Sequence, residues 1–118
     1  MLIYKLDVHP KGWGQEDWVW NSELYCGKLL RFNAGKRCSW HYHKIKDETF
    51  SLLHGDAMLL SSWKDELEGA QETHLVVGEV VNIPPGMRHQ IRAHENSILL
   101  ELSTTHFEND SYRIFKGD

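Results

Sequence analysis

The sequence has few cysteines and prolines and no long hydrophobic run. Its 118 residues include two cysteines and three prolines. Cys26 and Cys38 form neither a Cys-x-x-Cys pair nor a disulfide framework, so we expect two buried, reduced thiols. No apolar segment approaches the length of a membrane span, and the first residues lack the pattern of a signal peptide. These absences predict a soluble, cytoplasmic protein with no membrane partner.

A basic stripe is also missing from the chain. The formal net charge is -4 with neutral histidines, which leaves no electrostatic footprint for a nucleic-acid partner. Hydrophobic residues make up 41% and charged residues 25% of the chain, an ordinary globular composition. The length supports one hydrophobic core and is too small for two, so we expect a single domain over residues 1–118.

The hydrophobic pattern predicts strands and no long helix. Short segments with turn signals between them are typical of an all-β protein. We expect strands at residues 2–8, 23–33, 38–43, 48–53, 57–62, 73–77 and 97–104. Residues 9–18 are interpreted as a turn-rich stretch, and residues 103–118 as a polar tail that packs against the outer sheet or a partner subunit.

Three tryptophans lie within eight residues, at Trp13, Trp18 and Trp20. Aromatic side chains bury large areas, so the first interpretation is that they pack under the fold or in a subunit contact. The alternative is a platform on which a sugar ring stacks. The sequence alone leaves both open.

The stretch that begins at His41 carries the strongest chemical signal. His41 and His43 are spaced i, i+2, which places both side chains on one face of a strand. Neutral imidazole is the commonest metal ligand in proteins. Glu48 follows five residues later, and His89 comes after a Pro-Pro-Gly turn far downstream. Three imidazoles and one carboxylate form a credible ligand set for a divalent metal.

The spacing of this stretch resembles the two motifs of the cupin superfamily. The matching positions are Gly35, His41, His43, Glu48 and Gly55 in the first motif, and Gly78, Pro84, Gly86 and His89 in the second. The resemblance implies a double-stranded β-helix, or jelly-roll, barrel. It also implies that His41, His43, Glu48 and His89 bind one divalent transition metal, which is Mn, Zn, Fe, Ni or Co. One position departs from the family pattern, because Ala93 stands where an asparagine is usual.

The chain is also similar to the sugar-isomerase-like and type II mannose-6-phosphate isomerase-like cupins. This similarity implies an isomerase or epimerase that acts on a sugar or sugar phosphate, with the metal polarising substrate oxygens. Glu101, an acidic residue among apolar neighbours, is the candidate base. Arg31 and Arg88, together with Lys28, are the basic residues expected near the barrel mouth, and the two arginines are the candidate substrate-binding residues.

Two other functions stay open, and one of them removes catalysis altogether. The first is a non-catalytic metal- or sugar-binding module associated with carbohydrate biosynthesis, since fold does not imply function. The second is an iron-dependent dioxygenase, which the same ligand set permits. Whether the chain is an enzyme is therefore uncertain at this point. In each case the expected partners are a small-molecule carbohydrate ligand and a second copy of the chain in a homodimer.

Overall fold

The computed structural model describes residues 1–118 and contains two antiparallel sheets and no α-helix. The strands are β1 (Asp7–Lys11), β2 (Gly14–Asn21), β3 (Cys26–Phe32), β4 (Trp40–Tyr42), β5 (Glu48–His54), β6 (Ala57–Ser62), β7 (Gln71–His74), β8 (Val81–Ile83), β9 (Arg88–Ala93), β10 (Ser97–Ser103) and β11 (Tyr112–Phe115). The strand order is β1-β2-β3-β10-β5-β8 in the six-stranded sheet and β11-β4-β9-β6-β7 in the five-stranded sheet. A single 3₁₀ turn spans Glu108–Asp110.

The core lies between the two sheets and follows the two-residue period of the strands. In β5 and β10 alternate residues are buried, which places Phe50 and Leu52 opposite Glu101 and Leu99 on one inner face. The hydrophobic cluster consists of Trp13, Leu30, Phe32, Cys38, Phe50, Leu52, Ala57, Leu59, Leu75, Ile83, Ile91, Ala93 and Leu99. The predicted all-β jelly-roll barrel is therefore confirmed. Both cysteines are free and buried.

The strand boundaries correct the sequence prediction at the N-terminal end. The predicted strand at residues 2–8 begins only at Asp7, and residues 2–6 are in no strand. Asp7 pairs with Trp18, and the pairing ends there, just before β2 is bulged between Trp18 and Trp20. The stretch interpreted as turn-rich contains the hairpin of β1 and β2 instead. Alternation alone does not show whether a segment has a partner strand.

Other corrections concern the second half of the chain. The predicted strand at 73–77 lies at Gln71–His74, and β9 at Arg88–Ala93 was not predicted. The tail is not only a strap, because β11 pairs with β4 and extends the five-stranded sheet. Tyr112 of β11 stacks on Tyr42, with ring centroids 5.2 Å apart. The structure contains no helix with the length and apolar character needed to cross a bilayer.

The three tryptophans have different surroundings. Trp13 belongs to the core and stacks on Phe32 with ring centroids 4.1 Å apart. Trp20 packs beside Tyr4 and Tyr25. Trp18 stacks on His9 at 3.9 Å and also carries a lysine ammonium over its ring. The packing interpretation is therefore supported for Trp13 and Trp20, whereas Trp18 is half-buried and lines the central cavity.

Candidate metal centre

Strand pairing brings the three motif histidines together on the five-stranded sheet. His41 in β4 and His89 in β9 are direct partners in the antiparallel register. His43 follows one pleat later and shares the face of His41. One ring nitrogen from each of the three lies within 4.8 Å of the other two. Such a convergence of imidazoles is a site that can hold a divalent metal.

Backbone carbonyl groups fix the protonation of the three rings. Nδ1 of His41 lies 2.9 Å from the Ser39 carbonyl oxygen, and Nδ1 of His43 lies 2.7 Å from that of Asp110. Nδ1 of His89 lies 3.0 Å from the carbonyl oxygen of Met87. A carbonyl oxygen only accepts hydrogen bonds, so each Nδ1 carries the proton. The lone pair is then on Nε2, as in most metal-bound histidines.

The fourth predicted ligand comes from the opposite sheet. Glu48 begins β5, and its Oε2 lies 2.9 Å from His89 Nε2 and 3.5 Å from His43 Nε2. Both Glu48 Oε2 and His89 Nε2 are buried, yet neither has a hydrogen-bond partner of acceptable geometry. Glu48 Oε2 and His89 Nε2 therefore lie close together without a hydrogen bond between them, which is the arrangement expected of two atoms that bind the same ion. The four residues therefore fit a divalent metal.

The charges of the site are coupled to one another. Burial alone would raise the pKa of Glu48, but His89 and then Lys46 hold it well below the usual range. Burial lowers the pKa of His89, but the charge of Glu48 outweighs that effect and raises it. Desolvation, followed by the neighbouring His89 and His43, lowers the pKa of His41 to about 3, although part of this residue remains exposed. His41 is thus neutral at physiological pH, as a metal-binding imidazole must be.

A large cavity opens from the histidines toward the six-stranded sheet. Its volume is about 880 Å³, and His41, His43, Glu48 and His89 all line it. Glu101, the candidate base, lines the same cavity and is 4% exposed. The structure therefore brings five of the predicted site residues into one space. That space is large enough for a small ligand.

A buried lysine joins Glu48, the fourth predicted ligand, to the candidate base. Lys46 Nζ lies 2.6 Å from Glu101 Oε2 and 3.3 Å from Glu48 Oε1. The ammonium group is also 3.2 Å from Nδ1 of His106. Burial would lower the pKa of Lys46, but the two glutamates outweigh it and raise the pKa. Lys46 is therefore a permanent cation between the two carboxyl groups.

The two predicted substrate-binding arginines do not line the cavity. Arg31 pairs with Asp17 at 2.7 Å. Its neighbour Leu30 belongs to the core cluster, so by strand alternation Arg31 points to the outer face. Arg88 precedes His89 on β9 and stacks over Tyr42, with its guanidinium carbon 3.8 Å from the ring centroid. Their role toward substrate stays a prediction, and the geometry gives it no support.

Sequence reasoning missed several polar residues of the cavity. These are His9, Glu16, Lys46 and His106. No motif marks them, and His9 and His106 lack the ligand spacing that singled out His41 and His43. For Glu16, which lies in β2, the available signal was the alternation of inward and outward residues along a strand. Once a core residue of β3 is known, the two-residue period places Lys28 on the inner face and Arg31 on the outer one.

The two-sheet barrel and its histidine cluster define the class of protein: the chain has the cupin fold. Neither a model of a protein family nor a curated protein matches the sequence. Solved cupin-fold structures match over most of the chain. CapF from Staphylococcus aureus, described as a capsular polysaccharide assembling protein, is 20% identical with a TM-score of 0.82. The match covers 96% of this chain and 32% of that one.

Two further structures show the same fold at equally low identity. Oxalate decarboxylase from Bacillus subtilis is 20% identical with a TM-score of 0.76, and the match covers 92% of this chain and 30% of that one. KdgF from Halomonas sp. is 18% identical with a TM-score of 0.73, and the match covers 87% of this chain and 91% of that one. The chain thus spans about a third of CapF and of oxalate decarboxylase. At these identities the likeness shows the fold alone.

Proposed function

We propose that this chain is a metal-dependent enzyme that acts on a sugar or sugar derivative as an isomerase or epimerase. The observation that carries the proposal is Glu101, a buried carboxyl group in the same cavity as the histidine cluster. Proton transfer at carbon needs a base beside the reacting atoms. Glu48 faces the histidines and is committed to the metal, whereas Glu101 contacts Lys46 and not the imidazoles.

The surroundings of Glu101 suit a group that exchanges a proton. Burial, and then the charge of Glu48, raises the pKa of Glu101, which brings the carboxyl group closer to the working pH. Lys46 at 2.6 Å orients the carboxylate, and Ser103 Oγ donates a hydrogen bond to it at 3.1 Å. A divalent ion on the four ligands would polarise the substrate oxygens beside the exchanging carbon.

The cavity also supports a carbohydrate ligand. Its lining is rich in polar and ionisable side chains, and its volume of about 880 Å³ accommodates a monosaccharide. One similar structure, CapF, is described as a capsular polysaccharide assembling protein, which is consistent with this ligand class. The homodimer, the single-domain organisation and the native metal stay predictions.

A non-catalytic sugar-binding module is the second candidate, and the contacts of Lys46 favour it. The ammonium group holds Glu48 and Glu101 in ion pairs at the same time. An ion-paired carboxylate is a weaker base than a free one, because the cation stabilises its ionised form. If the ion pair with Lys46 weakens Glu101 as a base more than burial strengthens it, the cavity binds a sugar without catalysing its conversion.

The first test is the metal content of the purified protein, measured by elemental analysis. We expect about one transition-metal ion per chain in the wild type. His89→Ala should lose most of it, because the loss even of a residue that only supports a ligand lowers metal affinity by about tenfold or more. His94→Ala is the matched control, since His94 is exposed and outside the cluster. Equal metal content in both variants would contradict the ligand assignment.

The second test is exchange of a substrate proton with D₂O, followed by NMR across a panel of aldoses, their phosphates and their acids. Glu101→Gln should lower the exchange rate by at least about 100-fold and keep the metal. If the wild type binds a sugar without exchanging its proton, the protein is the non-catalytic sugar-binding module. Oxygen uptake with the iron-loaded protein, in place of exchange, would identify the dioxygenase.

A further inference from the structure

We infer that the cavity contains an anion-binding subsite, centred on Lys28, that recognises the carboxylate of an acidic sugar. The inference rests on the proposed function, because it names the substrate class of the same cavity. Lys28 lies in β3 and lines the cavity, yet its side chain is only 2% exposed. A lysine that is buried this deeply normally has its ammonium group fully paired.

The ammonium group of Lys28 is not fully paired. It carries three N–H donors, and the structure gives it one hydrogen-bond acceptor, Glu16 Oε1 at 3.3 Å. That oxygen also accepts a hydrogen bond from Trp18 Nε1 at 2.9 Å. The Lys28 ammonium also lies over the face of the Trp18 ring, 4.3 Å from the centroid. Lys28 therefore has donors left for a ligand.

The second buried lysine of the cavity gives the comparison. Lys46 Nζ has three partners within 3.3 Å, one for each of its donors: Glu101, His106 and Glu48. It has no donor to spare and acts within the protein. The contrast between the two lysines assigns ligand binding to Lys28 and an internal role to Lys46.

The position of Lys28 suits substrate recognition. Lys28 is opposite Glu101 in the β3–β10 register and opposite Trp18 in the β2–β3 register. It therefore lies beside the candidate base on the six-stranded sheet, while the histidines lie on the five-stranded sheet. A ligand whose anionic group is held by Lys28 extends from that sheet into the space that faces His41 and His89.

The buried charges of the cavity also favour an anion once a metal is bound. The buried or half-buried charged groups are three carboxylates, of Glu16, Glu48 and Glu101, and two ammonium groups, of Lys28 and Lys46. The formal charges of these five groups add to -1, and a bound divalent cation changes the sum to +1. Proton uptake by Glu101 would make the sum more positive. The remaining charged groups of the lining are exposed, and solvent screens them.

A carboxylate fits this subsite better than a phosphate. A dianionic phosphate group is usually held by several donors together, such as bidentate arginines, a lysine or a concave run of backbone N–H groups. The cavity lining contains one arginine, Arg113, and that residue is exposed. A single ammonium group with two free donors matches the two oxygens of a carboxylate. The substrate class is therefore a monocarboxylate sugar acid.

The test is calorimetric titration of the metal-loaded protein with matched ligands. The probes are D-glucuronate, D-glucose and D-glucose 6-phosphate, with D-galacturonate, D-galactose and D-galactose 6-phosphate as the second set. We expect at least one acid to bind about tenfold or more tightly than its neutral parent, because a buried charge pair contributes that much or more. Lys28→Met should abolish this preference. Lys44→Met should keep it, since Lys44 is exposed and lies over Tyr112 on the outer side.

The remaining outcomes also decide the question. No preference for either acid in the wild type, or an undiminished preference in Lys28→Met, would overturn the inference. Tighter binding of a sugar phosphate than of its matched acid would assign the subsite to phosphate instead. Metal content and urea denaturation of Lys28→Met verify that the variant is folded and loaded. Binding needs no turnover, so an acid preference without proton exchange would reject the isomerase and keep the subsite.

Discussion

At the scale of single residues, Gly86 links the two sequence motifs. Its N–H donates a hydrogen bond to the carbonyl oxygen of His43 at 2.7 Å, which ties the turn before His89 to the strand of the first two histidines. Its φ is +87°, in the left-handed region that favours glycine. Gly86 therefore has a structural role, which is to bring the two histidine-bearing segments into contact.

Gly86→Ala should destabilise the metal-free protein by about 1–2 kcal/mol, the cost of a side chain in left-handed backbone. The added methyl group meets only Trp63, at 3.7 Å, so the cost is conformational and not steric. Gly27→Ala is the matched control, because Gly27 lies in a strand and its nearest neighbour is 3.9 Å away. Urea denaturation measures both. Equal stabilities of the two variants would contradict the argument.

The ion pair of Asp17 and Arg31 predicts a pH dependence of stability. The Arg31 hydrogen bond, which outweighs burial, lowers the pKa of Asp17, so the ionised carboxylate favours the folded state. This contribution is complete above the unfolded pKa of about 3.9 and is lost as the pH falls through the lower folded value. Asp17→Asn should lower the free energy of unfolding by about 1 kcal/mol at pH 6. The difference in stability between this variant and the wild type should shrink as the pH falls below about 4.

The control for this prediction is Glu95→Gln, which removes an exposed carboxylate. Urea denaturation of the two variants and the wild type across pH 3–7 gives the comparison. A gap between wild type and Asp17→Asn that widens as the pH falls would show that Asp17 is not stabilised in its ionised form.

At the scale of elements, the 3₁₀ turn at Glu108–Asp110 organises the loop between β4 and β5. Asp110 is 3% exposed, and its carboxylate accepts hydrogen bonds from the backbone N–H groups of Lys44, Ile45 and Lys46. Its carbonyl oxygen also accepts the Nδ1 proton of His43 at 2.7 Å. One residue from the tail therefore holds His43 and the loop that leads to Glu48.

Asp110→Ala should destabilise the protein by about 2–3 kcal/mol, because it leaves three backbone donors without their charged acceptor. Metal affinity should also fall by about 10–100-fold, since the orientation of His43 depends on this turn. Glu108→Ala is the control, because the Glu108 side chain is 83% exposed in the same turn. Urea denaturation and competitive metal titration measure the two effects. Unchanged metal affinity in a destabilised variant would limit Asp110 to a structural role.

At the scale of the whole molecule, local patterns predicted the fold and the histidine cluster but not the cavity wall. The i, i+2 spacing of His41 and His43 was visible in the sequence because it depends on one strand only. Whether Arg31 or Lys28 points into the barrel depends on which alternate residues of β3 face inward. That choice is made by packing against the other sheet, which lies far away in sequence. Lys46 was missed because the burial of a charged residue follows from its partners, which are distant in sequence.

Both cysteines lie inside the barrel, so they report on the opening of the whole fold. Burial raises the pKa of Cys38 to about 12, and burial followed by the charge of Glu101 raises the pKa of Cys26. At pH 8 the native protein therefore contains almost no reactive thiolate. An aromatic disulfide reagent should label neither cysteine on mixing and both in urea, and slow labelling of the native protein should follow global unfolding.

Metal should slow this labelling, because an ion that binds only the folded state lowers the population of the unfolded one. With Mn²⁺ at 100 times its dissociation constant, the labelling rate should fall by about 100-fold. Mn²⁺ is suitable because it prefers oxygen and nitrogen ligands to thiolates. His89→Ala should label at the same rate with and without Mn²⁺. An equal rate for the wild type in both conditions would show that the histidine cluster does not couple metal binding to the stability of the barrel.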